Sequence, residues 1–205
     1  MADLVDSLGL VRKYGIPIAR HRLASNNDEL HDACGKVGFP VAMKVISEKI
    51  SHKTDVGGVK IGIGNFADAK KAFSGMKKLR GFQGVIIQEM VKGKEVIIGG
   101  KYDVQFGPTV LFGLGGVFVE IFKDFSIGVC PLGRKDARRM VREIKAYPIL
   151  KGYRGKKGVN LPELENTILK VGKLMMEENV SELDLNPVIA SERKVTAVDA
   201  RVAFR

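Results

Sequence analysis

The segment His52-Lys53-Thr54-Asp55-Val56-Gly57-Gly58-Val59 narrows the choice of fold more than any other stretch of this chain. It stands between two apolar runs, Pro40-Val41-Ala42-Met43-Lys44-Val45-Ile46 and Val59-Lys60-Ile61-Gly62-Ile63. Both runs are short and rich in β-branched residues, so both read as strands. Paired glycines in the loop between them let backbone N–H groups turn inward and approach a phosphate closely. A neutral imidazole beside such a loop is nucleophilic near neutral pH and can accept or relay a phosphoryl group. The same residues also describe a plain glycine hairpin carrying a surface histidine.

Composition excludes several classes. A chain of 205 residues makes one large domain or two small lobes. No apolar run approaches the roughly 18 residues of a membrane span. The N-terminus, Met1-Ala2-Asp3-Leu4-Val5-Asp6, is acidic and lacks the pattern of a signal peptide. Cys34 and Cys130 show no Cys-x-x-Cys spacing and read as reduced thiols, which points to a cytoplasmic protein. The net charge of +11 raises the question of nucleic acid. Its one local cluster is Arg134, Lys135, Arg138, Arg139 and Arg142, largely on one face of an expected helix. Aromatic residues do not interleave with these cations as a base-stacking surface requires. The cluster therefore suits a solvated face or an anionic partner, and no nucleic-acid ligand is expected.

Along the chain, Leu4, Val5, Leu8 and Val11 recur at helical spacing, and Gly15-Ile16-Pro17 ends that helix. Ser25 with Asp28 reads as the cap of a second helix bearing Leu30, Ala33, Cys34 and Val37. Asn65 caps a third, with Phe66, Ala69, Phe73 and Met76. Strands are expected over 85–91, 95–100 and 117–121, with a connector from Asp103 to Pro108. Helices are expected over 135–144 and 161–178, then two strands, Glu182 to Ala190 and Lys194 to Phe204. Short turns join many neighbouring strands, which predicts α+β lobes rather than a parallel α/β sheet.

Several residues carry possible chemistry. Lys44 is an isolated cation in an apolar strand, and burying it calls for an anionic partner, either a phosphate or a structural carboxylate. Gln88 and Glu89 end a strand and could hydrogen-bond the edge of a base, with Val91 adding backbone groups. Glu95 could accept from ribose hydroxyls. In Glu182-Leu183-Asp184-Leu185-Asn186-Pro187, period-2 alternation puts Glu182, Asp184 and Asn186 on one face. Three oxygen-bearing side chains suit a hard cation such as Mg²⁺, and Asp199 on the next expected strand could face them. A solvated strand face is the alternative. Gly113-Leu114-Gly115-Gly116 lies between expected strands, so it does not read as a dinucleotide-binding turn.

Taken in order, these pieces resemble the ATP-grasp fold, and in particular the ATP-grasp subunit or domain of NDP-forming acyl-CoA synthetases. The match runs through Lys13-Tyr14-Gly15-Ile16-Pro17, Gly38 to Lys44, the His52 to Val59 segment and Gln88-Glu89-Met90-Val91. It continues through Phe112 to Glu120, Leu150-Lys151-Gly152-Tyr153-Arg154-Gly155 and Glu182 to Pro187. The resemblance implies an ATP-grasp fold of two α+β lobes, about 20–90 and 1–19 with 91–205, with nucleotide between them. It implies that Lys44 holds ATP phosphates, Glu89 and Val91 meet adenine, and Glu95 meets ribose. Gly57 and Gly58 would belong to the loop over the phosphates. Asn186 and Asp199 would hold Mg²⁺, with Asp184 beside the transferred phosphoryl and His52 carrying it as a phosphohistidine.

The implied activity is that of an acid–thiol ligase, reversibly converting acyl-CoA, ADP and phosphate to acid, CoA and ATP. No length remains for a CoA-binding domain, so the resemblance implies a β subunit acting with an α subunit as an α2β2 heterotetramer. An acetyltransferase fusion is not expected. Where relatives resemble Lys-Asp-Val-Ser-Phe-Arg, this chain has Gly128 in place of the arginine. That departure leaves open a second reading, a non-catalytic nucleotide-binding regulatory subunit of such a complex.

Overall fold

The computed structural model describes residues 4–50, 53–116 and 121–205. The chain divides into two compact units: Ala19–Met90 forms one, and Met1–Ile18 with Val91–Arg205 forms the other.

The smaller unit is an antiparallel four-stranded sheet in the order β1-β4-β2-β3, with helices α2 and α3 on one face. Its strands are β1 (His21–Ala24), β2 (Val41–Ile46), β3 (Val59–Ile63) and β4 (Gly84–Glu89). Helix α2 (Asn27–Val37) and helix α3 (Phe66–Met76) bury one stripe each. Alternate strand residues meet those stripes: Val41, Met43, Val45, Val85 and Ile87 pack with Leu30, Cys34, Phe73 and Met76. Burial of one such side chain contributes about 1.5–3 kcal/mol. Period 2 then sends Ala42, Lys44, Ile86 and Gln88 to the sheet face away from the helices.

The cap of α2 lies one residue later than the sequence suggests. Asn26 Oδ1 accepts the Glu29 N–H at 2.9 Å, and the Glu29 carboxylate accepts from Ser25 N–H at 2.7 Å and Ser25 Oγ at 2.9 Å. Asn26, rather than Ser25, therefore caps the first turn, and Glu29, rather than Asp28, reaches back to the residue before the cap. These contacts hold the Glu29 carboxyl below its ordinary pKa, chiefly through the Ser25 amide.

The larger unit is an antiparallel six-stranded sheet in the order β10-β8-β5-β6-β7, with β9 also pairing β8. Its strands are β5 (Lys94–Asp103), β6 (Gly107–Leu114), β7 (Phe125–Val129), β8 (Val180–Ala190), β9 (Val195–Ala197) and β10 (Arg201–Phe204). Its helices are α1 (Leu4–Lys13), α4 (Arg134–Glu143), α5 (Tyr147–Lys151) and α6 (Leu161–Glu177). Helix α6 lies so near β5 that a Cβ on Gly100 would stand 2.5 Å from Met175 Sδ. Glycine is what permits that approach.

Three local expectations change. The connector from Asp103 to Pro108 is instead a tight hairpin turn, with Asp103 pairing Gly107. Asp103 Oδ1 accepts the Gln105 and Phe106 N–H groups, which depress its pKa. The strand expected over 117–121 lies outside the described residues except for Ile121, which sits in a turn. The strand expected from Lys194 to Phe204 is broken into β9 and β10.

Candidate functional site

On the smaller unit, the strand pairing draws two polar side chains onto one face. Lys44 on β2 is opposite Ile86 of β4, and Gln88 on β4 is opposite Ala42 of β2. The two are diagonal neighbours on the face away from the helices. Lys44 is 7% exposed and Gln88 is 1% exposed. The Gln88 Nε2 group is buried with no hydrogen-bond partner in the structure. An unspent buried donor of this kind costs about 1–3 kcal/mol and marks a place where a ligand can be met.

Glu89, the next residue, is used differently. Its Oε1 accepts the Arg20 N–H at 2.8 Å, and its Oε2 pairs with Arg20 Nε at 2.7 Å. The Glu89 N–H returns a bond to the Arg20 carbonyl at 2.9 Å. The Glu89 carboxylate thus ties β4 to the chain entering β1. Of the two residues read as base contacts, Gln88 holds the free donor and Glu89 has its carboxylate engaged.

The glycine loop closes on itself. Gly57 has φ +72°, and its N–H donates to Thr54 O at 3.1 Å. The Gly58 N–H donates to Lys53 O at 2.7 Å, and its carbonyl accepts from Val45 N–H at 2.8 Å. A Cβ on Gly58 would stand 2.6 Å from Val45 Cγ1 and 2.8 Å from the Lys53 carbonyl. Both glycines are needed for the turn and its docking on β2. The expectation that their amides turn inward to meet a phosphate does not hold in this conformation, because both are donated within the loop. His52, the residue expected to carry the phosphoryl group, lies outside the described residues.

On the larger unit, β8 presents Glu182, Asp184 and Asn186 on one face while Leu183 and Leu185 are buried on the other. Register with the neighbouring strands brings Asp199 to this face. Asp184 pairs with Arg201 of β10, and Val188 pairs with Ala197 of β9. The Val198 N–H donates to Pro187 O at 3.2 Å. This register carries through the gap between β9 and β10 and sets Asn186 opposite Asp199. On the other side, the pairing of β8 with β5 shifts between Val96 and Ile98, which leaves Asn186 and Pro187 as a bulge. Bulges re-aim side chains and recur beside active sites.

Charge accumulates in this corner. Burial pushes the Asp184 carboxyl above its ordinary pKa; Arg201 opposes the shift, while Asp199 and Glu182 add to it. Asp199 Oδ1 accepts the Ala200 N–H at 2.9 Å, which shapes the gap. Among the described residues no three His, Cys, Asp or Glu side chains form a metal-holding group. The donors are all oxygen, one amide carbonyl and one carboxylate with a second carboxylate beside them. That set fits Mg²⁺, which takes about one or two carboxylates and completes its shell with phosphate oxygens and water.

Glu95 is exposed on β5 opposite Ile189, and its carbonyl accepts the Gly115 N–H at 2.8 Å. A Cβ on Gly115 would lie 3.1 Å from the Glu95 Cβ. The glycine run there serves close packing of β5 and β6, and no helix follows it among the described residues. Val91 is half-buried just beyond β4. At Gly128 of β7, a Cβ would come within 2.7 Å of Leu132 Cδ2 and of Met140 Sδ. A larger residue here, such as the arginine of relatives, needs Leu132 and Met140 to shift, so in this chain the glycine goes with the close packing of Leu132 and Met140 on β7.

Comparison with known proteins supplies the family. The chain matches the model of the ATP-grasp domain over residues 3–204. It is 48% identical over 202 residues to the Pyrococcus furiosus acetate–CoA ligase [ADP-forming] I subunit beta, covering 94% of this chain and 87% of that one. It is 43% identical to the Archaeoglobus fulgidus acetate–CoA ligase [ADP-forming] I, covering 97% of this chain but 30% of that longer protein. The structure superimposes with a TM-score of 0.95 and 38% identity on a Ca. Korarchaeum cryptofilum acetyl-coenzyme A synthetase 1 complex with coenzyme A and Ca-AMPCP, over 100% of this chain and 93% of that one. A second form of that protein holds Mg-AMPPCP with a phosphohistidine segment pointing towards the nucleotide-binding site; its TM-score is 0.88 at 38% identity, over 98% and 92% of the two chains. The chain belongs to the ATP-grasp family, in the branch formed by the beta subunits of ADP-forming acetyl-CoA synthetases.

Proposed function

We propose that this chain is the nucleotide-binding β subunit of an ADP-forming acyl-CoA synthetase, a cytoplasmic enzyme acting with an α subunit in an α2β2 assembly. The balanced reaction is acyl-CoA + ADP + phosphate ⇌ acid + CoA + ATP. The observation that carries the reading is the corner where β8 bulges at Asn186 and the β9–β10 gap sets Asp199 opposite it, with Asp184 alongside.

On the larger unit, Asn186 and Asp199 hold Mg²⁺, and Glu95 accepts from ribose. When bound, Mg²⁺ neutralises charge on the transferring phosphoryl oxygens. Asp184, one strand position away on the same face, stands beside the transferred group. On the smaller unit, Lys44 supplies a fixed positive charge to the phosphates, and Gln88 donates its free N–H to the nucleotide. Val91, at the start of the larger unit, offers main-chain groups to the base, with Glu89 beside it held by Arg20. Gly57 and Gly58 shape the loop that follows His52. Phosphoryl transfer needs positioning and charge neutralisation more than covalent chemistry. His52 then carries the phosphoryl group between ADP and the partner, which lets the acyl and nucleotide steps use separate pockets.

The experiment is phosphoryl transfer in the assembled complex. With labelled ATP the wild type should place phosphate on His52, and His52→Asn should keep Mg-ADP binding but lose acid-dependent turnover. Near wild-type turnover in that variant would remove the relay from the mechanism. The second reading, a nucleotide-binding subunit without turnover, predicts no phosphate on His52 in the same experiment.

A further inference from the structure

Among the described residues the sheet edges are β1 and β3 in one sheet and β7, β10 and the three-residue β9 in the other, and all but β7 are blunted or very short. β1 is short and carries His21 and Arg22. β3 carries Lys60 and the positive-φ Gly62, and its register with β2 shifts. β10 carries Arg201 and a register shift at Ala203/Phe204. Charge, bulges and brevity are the usual means of preventing unwanted strand addition.

β7 has neither charge nor bulge. Its sequence is Phe-Ser-Ile-Gly-Val, without charge or proline, and all its residues pair in unbroken register with Thr109–Gly113 of β6. Among the described residues its other edge has no strand beside it. Phe125, Ile127 and Val129 are 40%, 51% and 48% exposed, all on the face away from α4. Ser126 and Gly128 turn towards α4, where Ser126 Oγ donates to Met140 O at 2.9 Å. The row through Ile127, Leu111, Gly99 and Asp184 runs across the open sheet face, from apolar at β7 to acidic at β8.

The flank of this edge is strongly basic. α4 packs on β7 through Ala137, Met140 and Val141 and exposes Arg134, Lys135, Arg138, Arg139 and Arg142. Arg138 pairs with Glu165 at 3.5 Å and Arg139 with Glu143 at 2.8 Å. Arg134, Lys135 and Arg142 make no ion pair among the described residues. Pairing of two copies of β7 would bring two such helices together, and like charges oppose it.

We infer that β7 is a docking edge that takes one extended segment of the partner subunit as a further strand, with apolar residues against Phe125, Ile127 and Val129 and carboxylates against α4. The inference rests on the reading of this chain as a β subunit with an α partner. Main-chain hydrogen bonds would supply affinity, and the alternating apolar and acidic side chains would supply specificity. Docking there would hold the partner on the same sheet face that carries Asp184.

The test uses the full chain and the CoA-binding subunit co-expressed from the same source. Ile127→Lys places a charge on an exposed edge position, so its unfolding temperature and Mg-ADP binding should match the wild type. Its affinity for the partner should fall at least 100-fold. Arg142→Glu should weaken assembly about tenfold and flatten its salt dependence. Assembly of Ile127→Lys with wild-type affinity overturns the docking edge while leaving the nucleotide reading intact. A wild-type chain that dimerises alone, and that Ile127→Lys makes monomeric, assigns the edge to a second copy and overturns the acidic partner. Failure of the wild type to assemble with the CoA-binding subunit overturns the partner reading and this surface together.

Discussion

Gln88→Leu separates a group kept for a ligand from one kept for the fold. The side chain is 1% exposed and its Nε2 has no partner. Leucine has nearly the same volume and removes the unspent donor, whose burial costs about 1–3 kcal/mol. In a chain of 205 residues each kcal/mol moves Tm by about 2–4 °C. The ligand-free variant should therefore melt about 2 °C or more above the wild type. Binding should move the other way. A hydrogen bond to a neutral base acceptor is worth about 0.5–1.5 kcal/mol and one to a charged phosphate about 1.5–3 kcal/mol. The loss in Mg-ADP affinity is then about 2- to 12-fold for a base contact and about 12- to 150-fold for a phosphate contact. Thermal unfolding without nucleotide and titration calorimetry with Mg-ADP read the two effects on one protein. A lower Tm with unchanged ADP affinity would show that the fold itself uses this amide and would refute the reasoning.

Two further substitutions test the corner and the loop. Burial raises the Asp184 pKa in the folded state, so the folded chain holds that proton more tightly than the unfolded chain. The resulting stability is fully present below the unfolded carboxylate pKa of about 3.9 and is lost as pH rises through the folded value. Asp184→Asn should remove that slope in a pH series of melting curves, raise Tm at pH 7 and abolish turnover. Gly58→Ala should destabilise by about 1–3 kcal/mol, because its Cβ meets the fixed Lys53 carbonyl and Val45. Chemical denaturation measures that loss, and a neutral result would mean that the loop moves away at no cost.

What the sequence made legible was local. The alternation Glu182-Leu183-Asp184-Leu185-Asn186 shows a two-faced strand because its apolar members recur at period 2. The partner of Asn186 was less visible. Asp199 reaches it through a break at 198–200, and breaks and bulges depend on the register of neighbouring strands. The α2 cap was misplaced by one residue because Ser25 with Asp28 and Asn26 with Glu29 have the same spacing; only the hydrogen bonds choose between them. β7 is not legible because Ser126 and Gly128 read as loop residues; in the structure both turn towards α4, where Ser126 Oγ donates to Met140 O. The Gly57 and Gly58 amides read as free to meet a phosphate because sequence shows that a glycine can turn but not which carbonyl it will find.

The bonds between Arg20 and Glu89 have a genealogical consequence. They join the first and last strands of the smaller unit almost where the chain enters and leaves it. Below them His21 to Ala24 pair with Gln88 to Val85, so the two ends are zipped together. A segment closed at its neck in this way can be gained, exchanged or lost as one piece. In the order of the chain, the whole stretch from Ala19 to Met90 is a single insertion between α1 and β5, with a core of its own.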